Sequence, residues 1–221
     1  MAPARAAADG AGVIFARVSP GGWAPAGGSQ PRRGDPMNSG QVWRDVSEAA
    51  DLRRLIRDVP DFPKPGVLFK DITPLLRDAS GLALAVELMV QPFRGTHVDV
   101  VVGAESRGFI FGTAAAKSLS VGFVPIRKPG KLPRSTRRVE YALEYGTDAL
   151  EMHADALQPG QNVLIVDDVL ATGGTLAACC GLVRAAGARI QAVAVLIELP
   201  ELGGRALLGD VPVFSVISYP K

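Results

Sequence analysis

Residues 163–175 read VLIVDDVLATGGT. Four apolar residues run into two adjacent aspartates, and a Thr-Gly-Gly-Thr turn follows. A continuous apolar run bounded by turn residues reads as a strand covered on both faces. Working outward, VDVVVGAE (98–105), GFVPIRK (122–128), IQAVAVLIEL (190–199) and VPVFSVIS (211–218) repeat the apolar run. Between them lie the helix-like stretches GFIFGTAAAKSL (108–119) and LAACCGLVRAAG (176–187), the second stopped by Gly187. Strands alternating with helices predict an α/β fold, a mainly parallel twisted sheet with helices on both faces. Ligands bind such sheets at the carboxyl ends of the strands. Two strands end there in loops dense with functional groups, GAESRG (103–108) and DDVLATGGT (167–175).

The flanking segments are read more simply. DVSEAADLRRLIRDV (45–59) places Val46, Ala49, Leu52, Leu55 and Ile56 at helical spacing. PDFPKPGVLFKDITPLL (60–76) carries four prolines and reads as extended and turn-rich. GLALAVELMVQPF (81–93) predicts a helix with Ser80 as its N-cap. YALEYGTDALEMH (141–153) predicts a hairpin around Gly146.

Residues 1–40 are rich in Ala, Gly and Pro and show neither period, so we expect a disordered leader and a folded domain over 41–221. GVIFA (12–16) falls short of the ~7–15 apolar residues of a secretory signal. The Arg-rich, acid-poor leader faintly resembles a transit peptide, while Met37 offers an alternative start. The chain's +2 charge lies wholly in this leader, where Arg5, Arg17, Arg32 and Arg33 outnumber Asp9 and Asp35. The remaining 20 Lys/Arg and 20 Asp/Glu cancel, which argues against a general nucleic-acid binder. No apolar run approaches the ~20 residues of a membrane span, so no membrane partner is expected. Cys179 and Cys180 are adjacent and form neither CxxC nor a metal spacing. We expect a cytoplasmic protein.

The loop chemistry is specific. Gly173 and Gly174 let backbone N–H groups turn toward an anion, and the helix beginning near Thr175 adds its positive end. Thr172 and Thr175 supply hydroxyl donors beside Ala171. Asp167 and Asp168 precede this cradle and can each accept a hydrogen bond from a vicinal diol. Phosphate and diol in one loop suit a ribose 5-phosphate. The stretch is neither a Walker loop nor GxGxxG.

VLIVDDVLATGGT resembles, without a gap, the phosphoribosyl-pyrophosphate signature of type I phosphoribosyltransferases. DFPKPGVLFKDITPLL, GAESRGFIFG, IRKPGKLP and LEYGTDALEMH resemble the adenine-using branch of that family, in order and spacing. The resemblance spans roughly Ala50 to Pro220 and implies the type I fold with a small N-terminal hood. Its substrates would be adenine and 5-phosphoribosyl 1-pyrophosphate, its products AMP and pyrophosphate, and its assembly a homodimer. Mg²⁺ would arrive with the pyrophosphate, without a direct protein cage.

The same resemblance distributes roles. Ribose 5-phosphate falls to Asp167, Asp168, Ala171, Thr172, Gly173, Gly174 and Thr175. Pyrophosphate falls to Glu105, Ser106, Arg107, Arg127, Lys128 and Lys131, with Glu105 standing where the family usually has Asp. Adenine falls to Leu68, Phe69, Lys70 and Tyr145, with Lys70 where Arg is frequent. Glu144 would handle the base, and Glu144, Arg107, Asp167 and Asp168 form the catalytic group. STRRVE (135–140) departs from the family pattern. A 6-oxopurine enzyme and a phosphoribosyl-pyrophosphate-sensing regulator are the alternatives.

Overall fold

A computed structural model describes residues 49–142 and 147–220. Its centre is a five-stranded, wholly parallel sheet. In spatial order it runs β4 (Gly122–Ile126), β3 (Val100–Ala104), β7 (Asn162–Leu170), β8 (Arg189–Glu198), β9 (Val213–Ser218). The apolar strands are buried on both sides by alternation. Val100, Val102, Val163, Ile165, Val193 and Val195 feed one core, and Val101, Leu164, Val166, Ala192, Ala194 and Leu196 feed the other. The first core is covered by α4 (Gly174–Ala185) and the second by α2 (Ala79–Val90) and α3 (Arg107–Leu119).

Chain order reverses between β3 and β7. From β3 the chain crosses outward to β4, and from β7 it crosses the other way to β8 and β9. The helices that follow these two strands, α3 and α4, lie on opposite faces. A crevice therefore opens at the carboxyl ends of β3 and β7, the switch point at which such sheets bind ligands. The loops 103–108 and 167–175 are the two that meet there.

Two antiparallel pairs stand outside the sheet. β5 (Thr136–Ala142) and β6 (Thr147–His153) form a hairpin in which Tyr141 faces Asp148. Val139 packs toward Gly181 of α4. The expected strand pairing is present, although its first strand begins at Thr136; the expected centre at Gly146 falls in 143–146, outside the described residues. β1 (Arg57–Pro60) pairs with β2 (Leu68–Asp71), and with α1 (Thr73–Arg77) it makes the small N-terminal hood.

Here the structure corrects three readings. The helix expected over 45–59 is helical only to Arg53 within the described residues, and Arg57–Pro60 is a strand. Pro60 disfavours helical geometry at Val59, and pairing with β2 claims the segment. The turn-rich reading of 60–76 misses α1, which opens with Pro74 in its first turn, where the lost N–H costs no bond. The N-cap of α2 is Asp78, whose carboxylate accepts from the Gly81 N–H at 2.7 Å, and Ser80 is already inside the helix.

Candidate active site

Asp167 and Asp168 belong to β7 itself, which runs through both to Leu170. Strand alternation sends their side chains to different surroundings. Asp167 lies under the start of α3: a Cβ on Gly108 would stand 2.8 Å from Asp167 Oδ1, so only glycine lets the helix come this close. The same oxygen accepts from the Asp168 N–H at 2.9 Å. Asp168 Oδ2 stands 2.9 Å from Arg107 Nη1, without the angle of a hydrogen bond. That oxygen is buried and has no hydrogen-bond partner, although an acceptor so placed is costly to leave unmet.

Burial pushes both carboxyls up, Asp167 further, with the charge of Asp168 adding to it. Arg107 opposes the rise at Asp168. Of the two, Asp167 therefore resists ionisation more, while the guanidinium beside Asp168 limits the rise there. A raised folded pKa has a definite sign. The folded chain holds a proton the unfolded chain releases, so stability is full below the usual carboxylate range and declines as pH climbs through the raised value. Asp167→Asn should therefore raise Tm by at least about 3 °C at pH 8 and by less than about 1 °C at pH 4, at ~2–4 °C per kcal/mol. Equal shifts at both pH values in calorimetric scans would exclude a buried charge as the cause.

These acids form one wall of a cleft of about 250 Å³. Glu105, Ser106 and Arg107 line a second side, and Ala171 to Leu176 the floor. Gly173 sits at φ +86° as the N-cap of α4, a conformation open to glycine and strained for other residues. No side chain caps α4, and none caps α3, whose N-cap is Ser106. Two uncapped helix starts, each with free N–H donors and a positive end, thus face one cleft. The arrangement is built for an anion with hydroxyls attached.

Of the basic residues singled out, Arg107 alone lines the cleft. Its guanidinium also lies 5.1 Å from the Phe69 ring centroid, which joins the hood to the cleft. Arg127 Nε and Lys131 Nζ are held by Glu105, at 2.8 and 2.6 Å. Burial acts against the Glu105 charge, yet the bonds from Lys131 and Arg127 bring its carboxyl below the ordinary value. Lys128 is turned to Asp148, which also accepts from the Tyr141 hydroxyl at 3.1 Å. The Asp148 bond raises Lys128, and the same bond lowers Asp148.

The base-side residues divide. Phe69 makes an edge contact with Phe62, ring centroids 5.1 Å apart. Leu68 is half exposed. Lys70 is not brought to the cleft: its ammonium pairs with Asp58 at 2.6 Å and lies 4.0 Å from the Tyr219 ring centroid. Successive residues of a strand point to opposite faces, which separates Lys70 from Phe69. Glu144 and Tyr145 lie outside the described residues. Among the described residues no group of three or more His, Cys, Asp or Glu gathers as a metal cage. Nor is any helix there long and apolar enough to cross a membrane.

Sequence reading missed the Tyr141–Asp148–Lys128 group. The hairpin register that opposes Tyr141 to Asp148 was the one available signal. It also missed Phe62 and Tyr219, whose partners are set by the hood's folding and not by local pattern.

Comparison with known proteins places this geometry. The phosphoribosyl transferase domain model matches residues 75–218. The adenine phosphoribosyltransferase of Sorangium cellulosum is 57% identical over 173 residues, covering 76% of this chain and 86% of that relative. The crystal structure of the Thermoanaerobacter pseudethanolicus adenine phosphoribosyltransferase superposes with a TM-score of 0.76 at 47% identity, covering 77% of this chain and 99% of the other. That of the Saccharomyces cerevisiae enzyme, complexed with an imino-altritol 1,6-bisphosphate and adenine, gives 0.74 at 39% identity, covering 78% of this chain and 99% of the other. Parallel sheet, switch-point cleft and paired acids thus agree with sequence identity far above chance, and the chain belongs to the phosphoribosyl transferase family, among its adenine phosphoribosyltransferases.

Proposed function

We propose that the chain makes AMP and pyrophosphate from adenine and 5-phosphoribosyl 1-pyrophosphate. The carrying observation is Asp168 Oδ2, a buried acceptor without a hydrogen bond beside an uncapped glycine turn. A ribose diol supplies the missing donors, and the 5-phosphate takes the N–H groups of Gly173, Gly174 and Thr175 with the hydroxyls of Thr172 and Thr175. Ala171 shapes the same turn. Ser106 and Arg107 receive the pyrophosphate at the second helix start. Arg127, Lys128 and Lys131 reach it by exchanging Glu105 and Asp148 for its oxygens. Adenine packs on Phe69 and Leu68, under Tyr145.

In the reaction the ribose C1′–O bond to pyrophosphate breaks, the C1′–N9 bond forms and N9 loses its proton. Asp168 favours the positive charge that develops on the ribose, and Asp167 fixes its hydroxyls. Glu144 takes up the change at the base by hydrogen bonding or proton transfer. Catalysis is otherwise the holding of two substrates in line. Mg²⁺ would come with the pyrophosphate oxygens and waters, touching the acid pair only through water or the ribose hydroxyls, and would neutralise charge on the leaving group. A homodimer and a folded unit within 41–221 complete the proposal. The latter is supported by the Thermoanaerobacter relative, 99% of which is matched by 77% of this chain.

The test is a competition assay with Mg²⁺ and phosphoribosyl pyrophosphate, adenine, hypoxanthine, guanine and xanthine being offered together. AMP is the expected sole nucleotide. Another monophosphate would replace the base assignment, and no product with phosphoribosyl pyrophosphate bound would mark a sensing protein.

A further inference from the structure

We infer that Glu198 and Arg205 are positioning residues for the phosphate cradle, acting through Gly204; the inference rests on the phosphoribosyl reading above. Glu198 ends β8, and the chain then turns through Pro200–Leu202 into the short helix α5 (Gly204–Leu207). Arg205 returns to Glu198 with two parallel bonds, Nε to Oε1 at 2.8 Å and Nη2 to Oε2 at 2.6 Å. Its Nη1 donates to the Val213 carbonyl at 3.0 Å, and Ser215 Oγ donates to Glu198 Oε2 at 2.7 Å. Glu198 is buried, and the Arg205 bond holds its carboxyl below the ordinary range. A planar fork on a buried carboxylate fixes direction as well as distance.

What it fixes is the residue before it. A Cβ on Gly204 would stand 2.2 Å from the Ala171 carbonyl oxygen and 2.9 Å from the Gly173 nitrogen. In return, a Cβ on Gly173 would stand 2.6 Å from the Gly204 carbonyl oxygen. The two backbones touch with nothing between them. Leu199 N–H donates to the Leu170 carbonyl at 2.9 Å and ties the same segments once more. No side chain caps α4, so this backbone contact helps to set the direction of its free N–H groups. Neither Glu198 nor Arg205 lines the cleft.

The experiment measures ribose 5-phosphate binding to the full chain by calorimetry, well below each variant's Tm. Arg205→Ala should raise Kd at least tenfold, and Arg205→Lys, which keeps one bond, should recover part of it. In turnover, KM for phosphoribosyl pyrophosphate should rise with it while KM for adenine stays within twofold. A pair that serves stability alone would lower Tm and leave Kd within twofold, which overturns the inference. Should Arg205→Ala fail to fold with Glu198 unpaired, Glu198→Gln with Arg205→Met removes both charges and faces the same criterion. Wild-type chain that binds neither ribose 5-phosphate nor phosphoribosyl pyrophosphate removes the inference together with the reading beneath it.

Discussion

The Asp167→Asn, Asp168→Asn double variant folds, melts no lower than the wild type at pH 8, and loses turnover by at least about 10³-fold. The last figure follows from what one misplaced transition-state contact costs, about 10²–10³. Asparagine keeps the shape and keeps the Oδ1 that accepts from the Asp168 N–H. It removes the charge that would face a positive ribose, and it turns an acceptor into a donor where the diol needs acceptors. Stability moves the other way, because burial resists the ionisation of both carboxylates and the charge of Asp168 adds to the resistance at Asp167. Function and stability therefore separate in one variant, as they do where a site holds destabilised groups. Steady-state kinetics and a melting curve on one preparation suffice. Turnover within tenfold of wild type would end the ribose assignment.

Gly173→Ala is the second large effect. Alanine at φ +86° carries about 1–2 kcal/mol of backbone strain, and its Cβ meets the Gly204 carbonyl oxygen at 2.6 Å. The turn must shift, and the N–H groups of the cradle shift with it. We expect ribose 5-phosphate affinity to fall about 100-fold, on the order of a lost charge-assisted contact, with a Tm lowered by several degrees. Gly209→Ala is the control: it has φ +66° and nothing within 4 Å of an added methyl, so strain acts there without a collision. It should lower Tm and leave affinity unchanged. Equal affinity losses in both variants would mean that general loosening, and not the contact with Gly204, is responsible.

The sheet and the glycine turn after β7 were legible for one reason. Strands buried on both faces need unbroken apolar runs, and Val163–Val166 and Ala192–Ile197 leave no other reading. The place of Asp167 and Asp168 at the cleft was legible because they follow directly on such a run, where β7 reaches its carboxyl end. The hood was not. Leu52, Leu55 and Ile56 set a helical period that Arg57–Pro60 breaks in order to pair with β2, and pairing is not a local property. The position of Lys70 was hidden for a related reason: its partners, Asp58 and Tyr219, come from the neighbouring strand of the ribbon and from the end of the chain. Glu198 and Arg205 look like surface charges in sequence; that Glu198 is buried and gripped by the Arg205 fork emerges only once β8 and β9 lie side by side.

Glu105 carries a consequence of its own. It already occupies Arg127 and Lys131 as an internal counter-anion. If those cations receive the pyrophosphate, binding is an exchange of one anion for another, and only the difference between the two partners remains as affinity. The same carboxylate stands ready to reclaim both cations when the product leaves. A site organised in this way limits its own grip on a pyrophosphate group, whether free or still carried by the substrate.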